Sequence, residues 1–134
     1  WAMTQDNMAA AYSERLLGDP GQNIDNSLEC YENMLRVYKH EQHPLEWART
    51  QNNLGQSYRH RTHGDRGENL EKAIEHYKLA LQVFTKENHP VGWAAATNNI
   101  AVACSERVYG IKADNIDEAI SHYKAALEVC TKTE

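Results

Sequence analysis

Three tryptophans, Trp1, Trp47 and Trp93, divide the chain at two equal intervals of 46 residues. A fixed period in that range marks a repeat architecture and outranks any local signal. At that offset WAMTQDNMAAAY aligns with WARTQNNLGQSY and WAAATNNIAVAC, and NIDNSLECYENMLRVY with NLEKAIEHYKLALQVF and NIDEAISHYKAALEVC. Nine columns hold one residue type throughout: Trp1/Trp47/Trp93, Ala2/Ala48/Ala94, Asn7/Asn53/Asn99, Arg15/Arg61/Arg107, Gly18/Gly64/Gly110, Asn23/Asn69/Asn115, Tyr31/Tyr77/Tyr123, Leu35/Leu81/Leu127 and Val37/Val83/Val129. The chain therefore divides into repeats 1-46, 47-92 and 93-134 of one array.

Each unit reads as two helices, so the fold class is all-α. In the second unit Trp47, Leu54 and Tyr58 share one helical stripe. Gly64, Asp65 and Gly67 then break the pattern. Asn69 is the expected cap of the next helix, with Glu71 in its first turn, where the helix dipole favours an acid. From there Leu70, Ala73, Ile74, Tyr77, Ala80, Leu81 and Phe84 recur at helical spacing. Pro44 and Pro90 suit the first turns of the helices that open after ENHP-type breaks. The pattern predicts helices over 1–16, 24–41, 44–62, 70–87, 90–108 and 116–132.

Leu54-Gly55-x-x-Tyr58 followed by Ala73-x-x-x-Tyr77-x-x-Ala80 resembles the tetratricopeptide repeat signature. The 46-residue spacing exceeds that family's usual unit of about 34 residues. Gln51 stands where the family's helix A carries tryptophan, and the aromatic is displaced to Trp47. The whole phrase is similar to a long-repeat branch found in signalling proteins with CHAT protease or nucleotide-binding modules, and to kinesin light chain. The resemblance implies a right-handed superhelical solenoid of three helix-turn-helix repeats. Such units bury a continuous core only by stacking, with about three as the minimum. The chain opens at a tryptophan, lacks an initiator Met and shows no polar capping helix. It is expected to be a piece of a longer array, with apolar ends that favour end-to-end association or a swapped dimer.

Composition narrows the function. With 14 Lys and Arg against 19 Asp and Glu the net charge is -5, which argues against binding a nucleic-acid backbone. No apolar run approaches the roughly 20 residues that span a bilayer, and the first residues show no basic-then-apolar signal pattern. Cys30, Cys104 and Cys130 stand far apart, forming neither a disulfide framework nor a metal knuckle. A cytoplasmic chain follows. Cys104 and Cys130 share columns with Tyr12 and Tyr58, and with Tyr38 and Phe84, and are expected to be small buried hydrophobes. His60 and His63 have no third ligand at metal spacing. His76 and His122, in the column of Cys30, read as surface positions on the second helix. There is no phosphate loop, nucleophile elbow or HExxH, so no enzyme and no cofactor are expected.

In the tetratricopeptide fold the inner face of helix A lines a concave groove. Carried onto this chain, that face holds Arg49, Asn52, Asn53, Gln56, Arg59 and His60 in unit two. Unit one contributes Met3, Asp6, Asn7, Ala10, Ser13 and Glu14, and unit three Ala95, Asn98, Asn99, Val102, Ser105 and Glu106. Asparagine is a mediocre helix former, so the mid-helix column Asn7, Asn53 and Asn99 needs a reason. It is either a ladder of carboxamides for the backbone of an extended peptide or a set of ties between neighbouring helices. Asn52 and Asn98 read as polar groove residues. Arg49, Arg59 and His60 offer a basic centre flanked by Glu14 and Glu106, suited to an acidic side chain or a terminal carboxylate. Arg15, Arg61 and Arg107 either complement the end of helix A or pair with the acids Asp25, Glu71 and Asp117. The expected function is a protein-interaction scaffold binding a peptide or helix. The alternative is a structural or oligomerisation segment of a larger protein.

Overall fold

The computed structural model describes residues 1–14 and 18–131, except for the side chains of residues 2, 13 and 14. The described residues form six helices and no strand: α1 (Ala2–Glu14), α2 (Pro20–Val37), α3 (Pro44–His60), α4 (Arg66–Ala80), α5 (Pro90–Glu106) and α6 (Lys112–Cys130). Pro44 and Pro90 open α3 and α5 as expected, each at a first helical position where its missing N–H costs nothing. Residues 15, 16 and 132, included in the expected helices, lie outside the described residues.

The second helix of each unit begins four residues earlier than expected. The Asp19 carboxylate caps α2 by accepting from the Gly21 and Gln22 N–H groups, and Asp65 caps α4 by accepting from Glu68 N–H at 2.8 Å. Asn69 is not the cap, and Glu71 does not stand in the first turn. Asn69 is buried inside α4, and its Nδ2 donates to the His63 carbonyl at 2.8 Å. Asn115 does the same for the Tyr109 carbonyl at 2.8 Å. Those carbonyls directly precede Gly64 and Gly110, whose φ of 79° and 83° only glycine adopts without strain. Asparagine in this column braces a left-handed turn from within the helix. At its other end α4 stops at Ala80, short of the expected 87, and short turns through Phe84 follow.

Every helix packs on its neighbours in the chain, and α3 also touches α5. Leu28, Tyr31 and Met34 of α2 meet Ala9 of α1 and Leu54 of α3 in one cluster. Leu70, Ile74 and Tyr77 of α4 meet Ile100, Ala103 and Cys104 of α5 in the next. A third cluster gathers Ala48, Ala80, Phe84 and Ala96, with Trp47 and Trp93 partly buried against it. Trp1, by contrast, is exposed. Ion pairs span the same joints. Arg61 Nε donates to Asp25 at 2.7 Å, and Arg107 grips Glu71 through two bonds of 2.6 Å. Each arginine thus pairs with the acid 36 residues earlier, on the second helix of the preceding unit. Asp117, in the same acidic column, makes no ion pair among the described residues.

Cys104 is buried as expected, and burial pushes its thiol up to about 11, which leaves it inert. Cys130 is exposed instead. The column of Cys30 and His76 is not a surface position in the first two units. Cys30 is buried, and His76 is half-buried, stacked on Tyr58 and hydrogen-bonded through Nδ1 to Gln51 Oε1 at 2.7 Å. Gln51 is itself buried and receives that histidine.

Candidate binding cleft

Four of the six helices contribute to one open cleft of about 830 Å³. Met3 and Asp6 of α1 stand on one side of it, and Pro90, Val91, Gly92 and Ala95 of α5 on the other. Leu45, Glu46, Arg49, Asn52 and Asn53 of α3 lie between them. Met34 of α2 and the segments that follow α2 and α4, through Tyr38, Phe84, Asn88 and His89, complete the lining. Helical geometry places residues 45, 49, 52 and 53 on one stripe of α3, so their side chains share a face. An apolar surface from Met3, Leu45, Phe84 and Val91 therefore adjoins amides and one arginine, the mixture that peptide grooves use.

Of the residues expected on the groove face, Met3, Asp6, Arg49, Asn52, Asn53 and Ala95 line this cleft. Arg49 is exposed and makes no ion pair among the described residues. Asn99 and Asn52 are brought together: Asn99 Nδ2 donates to Asn52 Oδ1 at 3.1 Å, an amide tie between successive first helices. That bond occupies the Asn52 acceptor, while the side chain of Asn53 remains part-exposed in the cleft. Asn7 and Asn98 are exposed on their helices but do not line the cleft, and neither does Gln56.

The expected basic centre does not form. Arg59 Nη1 donates to Glu106 at 3.0 Å, and Arg66 donates to the other oxygen of the same carboxylate at 2.7 Å. Arg66 also donates to the Arg59 carbonyl, which closes the network. Burial, and then the adjacent Arg59 charge, hold the His60 imidazole below its ordinary value, so it stays neutral. Arg59 is thus spent on a tie between α3, α4 and α5, and among the described residues Arg49 is the arginine that lines the cleft. Glu14, the other expected flank, has its side chain outside the described residues. His63 is likewise committed, its Nδ1 lying 2.6 Å from Asp25. Among the described residues no group of three His, Cys, Asp or Glu side chains is placed to hold a metal ion. None of those helices is long and apolar enough to cross a membrane.

Sequence reasoning missed the connecting segments. His43 and His89 precede the prolines, make no side-chain cap, and set their rings edge-on against Tyr38 at 5.5 Å and Phe84 at 6.1 Å. The repeated His-Pro pairs, read only as helix breaks, were the available signal. They fix the corner from which Phe84, Asn88 and His89 reach the cleft. No family model, curated protein or solved structure matches the chain.

Proposed function

We propose that the chain is a protein-interaction module, not an enzyme, and that it binds an extended peptide or a helix in the cleft between α1, α3 and α5. The observation that carries this reading is the cleft lining. Apolar side chains from three helices stand beside Asn53 and an arginine left without an internal acid. Asp6 and Glu46 share the wall with Arg49, so the fitting ligand presents an apolar anchor, a carboxylate opposite Arg49 and a backbone for the Asn53 amide.

The architecture that suits this role is a right-handed solenoid of three 46-residue helix pairs, similar to the long-repeat tetratricopeptide arrays. It is supported by α3 and α5, which have equal lengths at an offset of 46 residues, and by the repeated Arg61–Asp25 and Arg107–Glu71 joints.

A random-peptide display library panned against the protein tests the reading. Ala95 is exposed at the cleft, so Ala95→Trp fills the space without touching the core. Enriched peptides are expected to lose about tenfold or more in affinity to Ala95→Trp and to Arg49→Glu. Failure to enrich any peptide, or enriched peptides indifferent to both substitutions, overturns it.

A further inference from the structure

The two outward faces of the array carry the columns that mate inside it. On α2 and α4, Leu28 and Ile74 are 4% and 3% exposed, and Tyr31 and Tyr77 are 6% and 0% exposed, because α3 and α5 lie over them. On α6 the same columns give Ile120 at 44% and Tyr123 at 40%, with Leu127 at 62%. The complementary column on the first helices behaves alike: Leu54 and Ile100 are 1% and 0% exposed, but Met8 of α1 is 40% exposed. The chain therefore displays, twice over, what covers a face like that of α6. It is a helix of the α3 and α5 type, and among the described residues α1 is the helix of that type whose own mating face is open.

We infer that the α6 face, through Ile120, Tyr123 and Leu127, docks the α1 face of a second copy of this chain, making a head-to-tail joint that repeats the internal α2–α3 and α4–α5 joints. Continuity with those joints specifies the occupant, and charge supports it. Both internal joints are closed by an arginine on a carboxylate of the preceding unit, and Asp117 is the carboxylate presented by α6. In sequence, the arginine column begins with Arg15.

The helix starts carry a second match. A side chain added at Gly21 or Gly67 would run into His63 or Tyr109 at 2.6 Å, and Tyr109 donates to the Asp65 cap at 3.0 Å. The third unit replaces this polar Asp-x-Gly seat with Ile111 and Ala113, and the column of His63 and Tyr109 begins with Leu17. Residues 15–17 lie outside the described residues, so Arg15 and Leu17 are matched by column alone. The joint is heterologous, so each added copy leaves one face of each kind open. This inference is independent of what the cleft binds.

Two exposed substitutions test it by complementation. Met8→Glu blocks the α1 face and Leu127→Glu blocks the α6 face. Circular dichroism melting checks that each variant folds as the unmodified chain does. By sedimentation equilibrium the unmodified chain is expected to grow in average mass with concentration, past the dimer. Each variant alone is expected to stay monomeric, its joint weakened about a hundredfold by a carboxylate among apolar side chains. An equimolar mixture of the two is expected to form a one-to-one complex and stop there. The inference is overturned by an unmodified chain that stays monomeric up to its solubility limit. It is also overturned by Met8→Glu dimerising alone, which means α6 pairs with α6, or by a mixture that stays monomeric.

Discussion

Gly55 sits where α3 crosses α4, and the space a β-carbon would take is held by the Tyr77 ring, at 2.6 Å from Cε1. Tyr77 is fully buried among Leu70, Ile100 and Cys104, so its ring has nowhere to retreat. In the same columns the outer units carry Ala9 with Tyr31 and Ala101 with Tyr123, and Tyr123 is 40% exposed. Two effects compete in Gly55→Ala. Helix propensity favours alanine by up to about 1 kcal/mol, while overpacking a closed core costs about 1–3 kcal/mol. Overpacking wins because the obstacle is an immobilised ring. The expected outcome is a net loss of about 1–2 kcal/mol in urea denaturation, with the cleft and fold otherwise intact. A neutral or stabilised Gly55→Ala variant would show that the ring moves.

Individual elements explain what was legible beforehand. The apolar stripe from Leu70 to Phe84 and the prolines at 44 and 90 revealed that helices exist and which faces they bury. Their starts were misread because Asn69 and Asp65 are both residues that cap helices, and only the path of the glycine turn decides between them. Arg59 was placed on the inner face of α3, yet its bond to Glu106, 47 residues away, depends on how α3 and α5 approach.

Ion pairs between elements also set the response to acid. Burial raises the Asp25 carboxyl, but its bonds to His63 and Arg61 and their charges outweigh that, so it ends below its ordinary 3.8. The bonds from Arg107 bring Glu71 below 4.5 against a smaller opposing effect of burial. For both, the folded-state value is the lower one. Their stabilisation is therefore complete above the ordinary values and is lost as pH falls below them through the lower folded-state values. His76 differs in window, not in sign. Burial holds its imidazole below 6.5, so the fold favours the neutral ring and loses stability as pH falls below 6.5. Urea midpoints across pH are expected to show two separate declines. His76→Phe shrinks the upper decline and leaves the share of His60, while Arg107→Met removes the bonds that lower Glu71 and shrinks the lower decline to the share of Asp25. A single decline near 4 in the unmodified chain would mean that the protonated His76 and His60 rings are both accommodated.

For the molecule as a whole, the governing fact is that its helices pack on chain neighbours, so stability passes from one joint to the next. A helix with neighbours on both sides is held by two joints, and an outer helix by one. Among the described side chains α1 has only Ala9 buried, whereas α4 buries Leu70, Ala73, Ile74, Tyr77 and Ala80. A 13-residue helix is marginal without tertiary support. Amide hydrogen exchange should therefore grade along the chain, slowest in α3, α4 and α5 and fastest in α1. The sharpest comparison is α6, the longest helix at 19 residues, which should exchange faster than the 15-residue α4 because its Ile120–Leu127 face is open. Equal protection in all six helices would mean that the chain opens only as one cooperative unit. If copies join head to tail, protection in α1 and α6 should rise with protein concentration while that of α4 stays constant. That concentration dependence separates frayed ends from ends awaiting a partner.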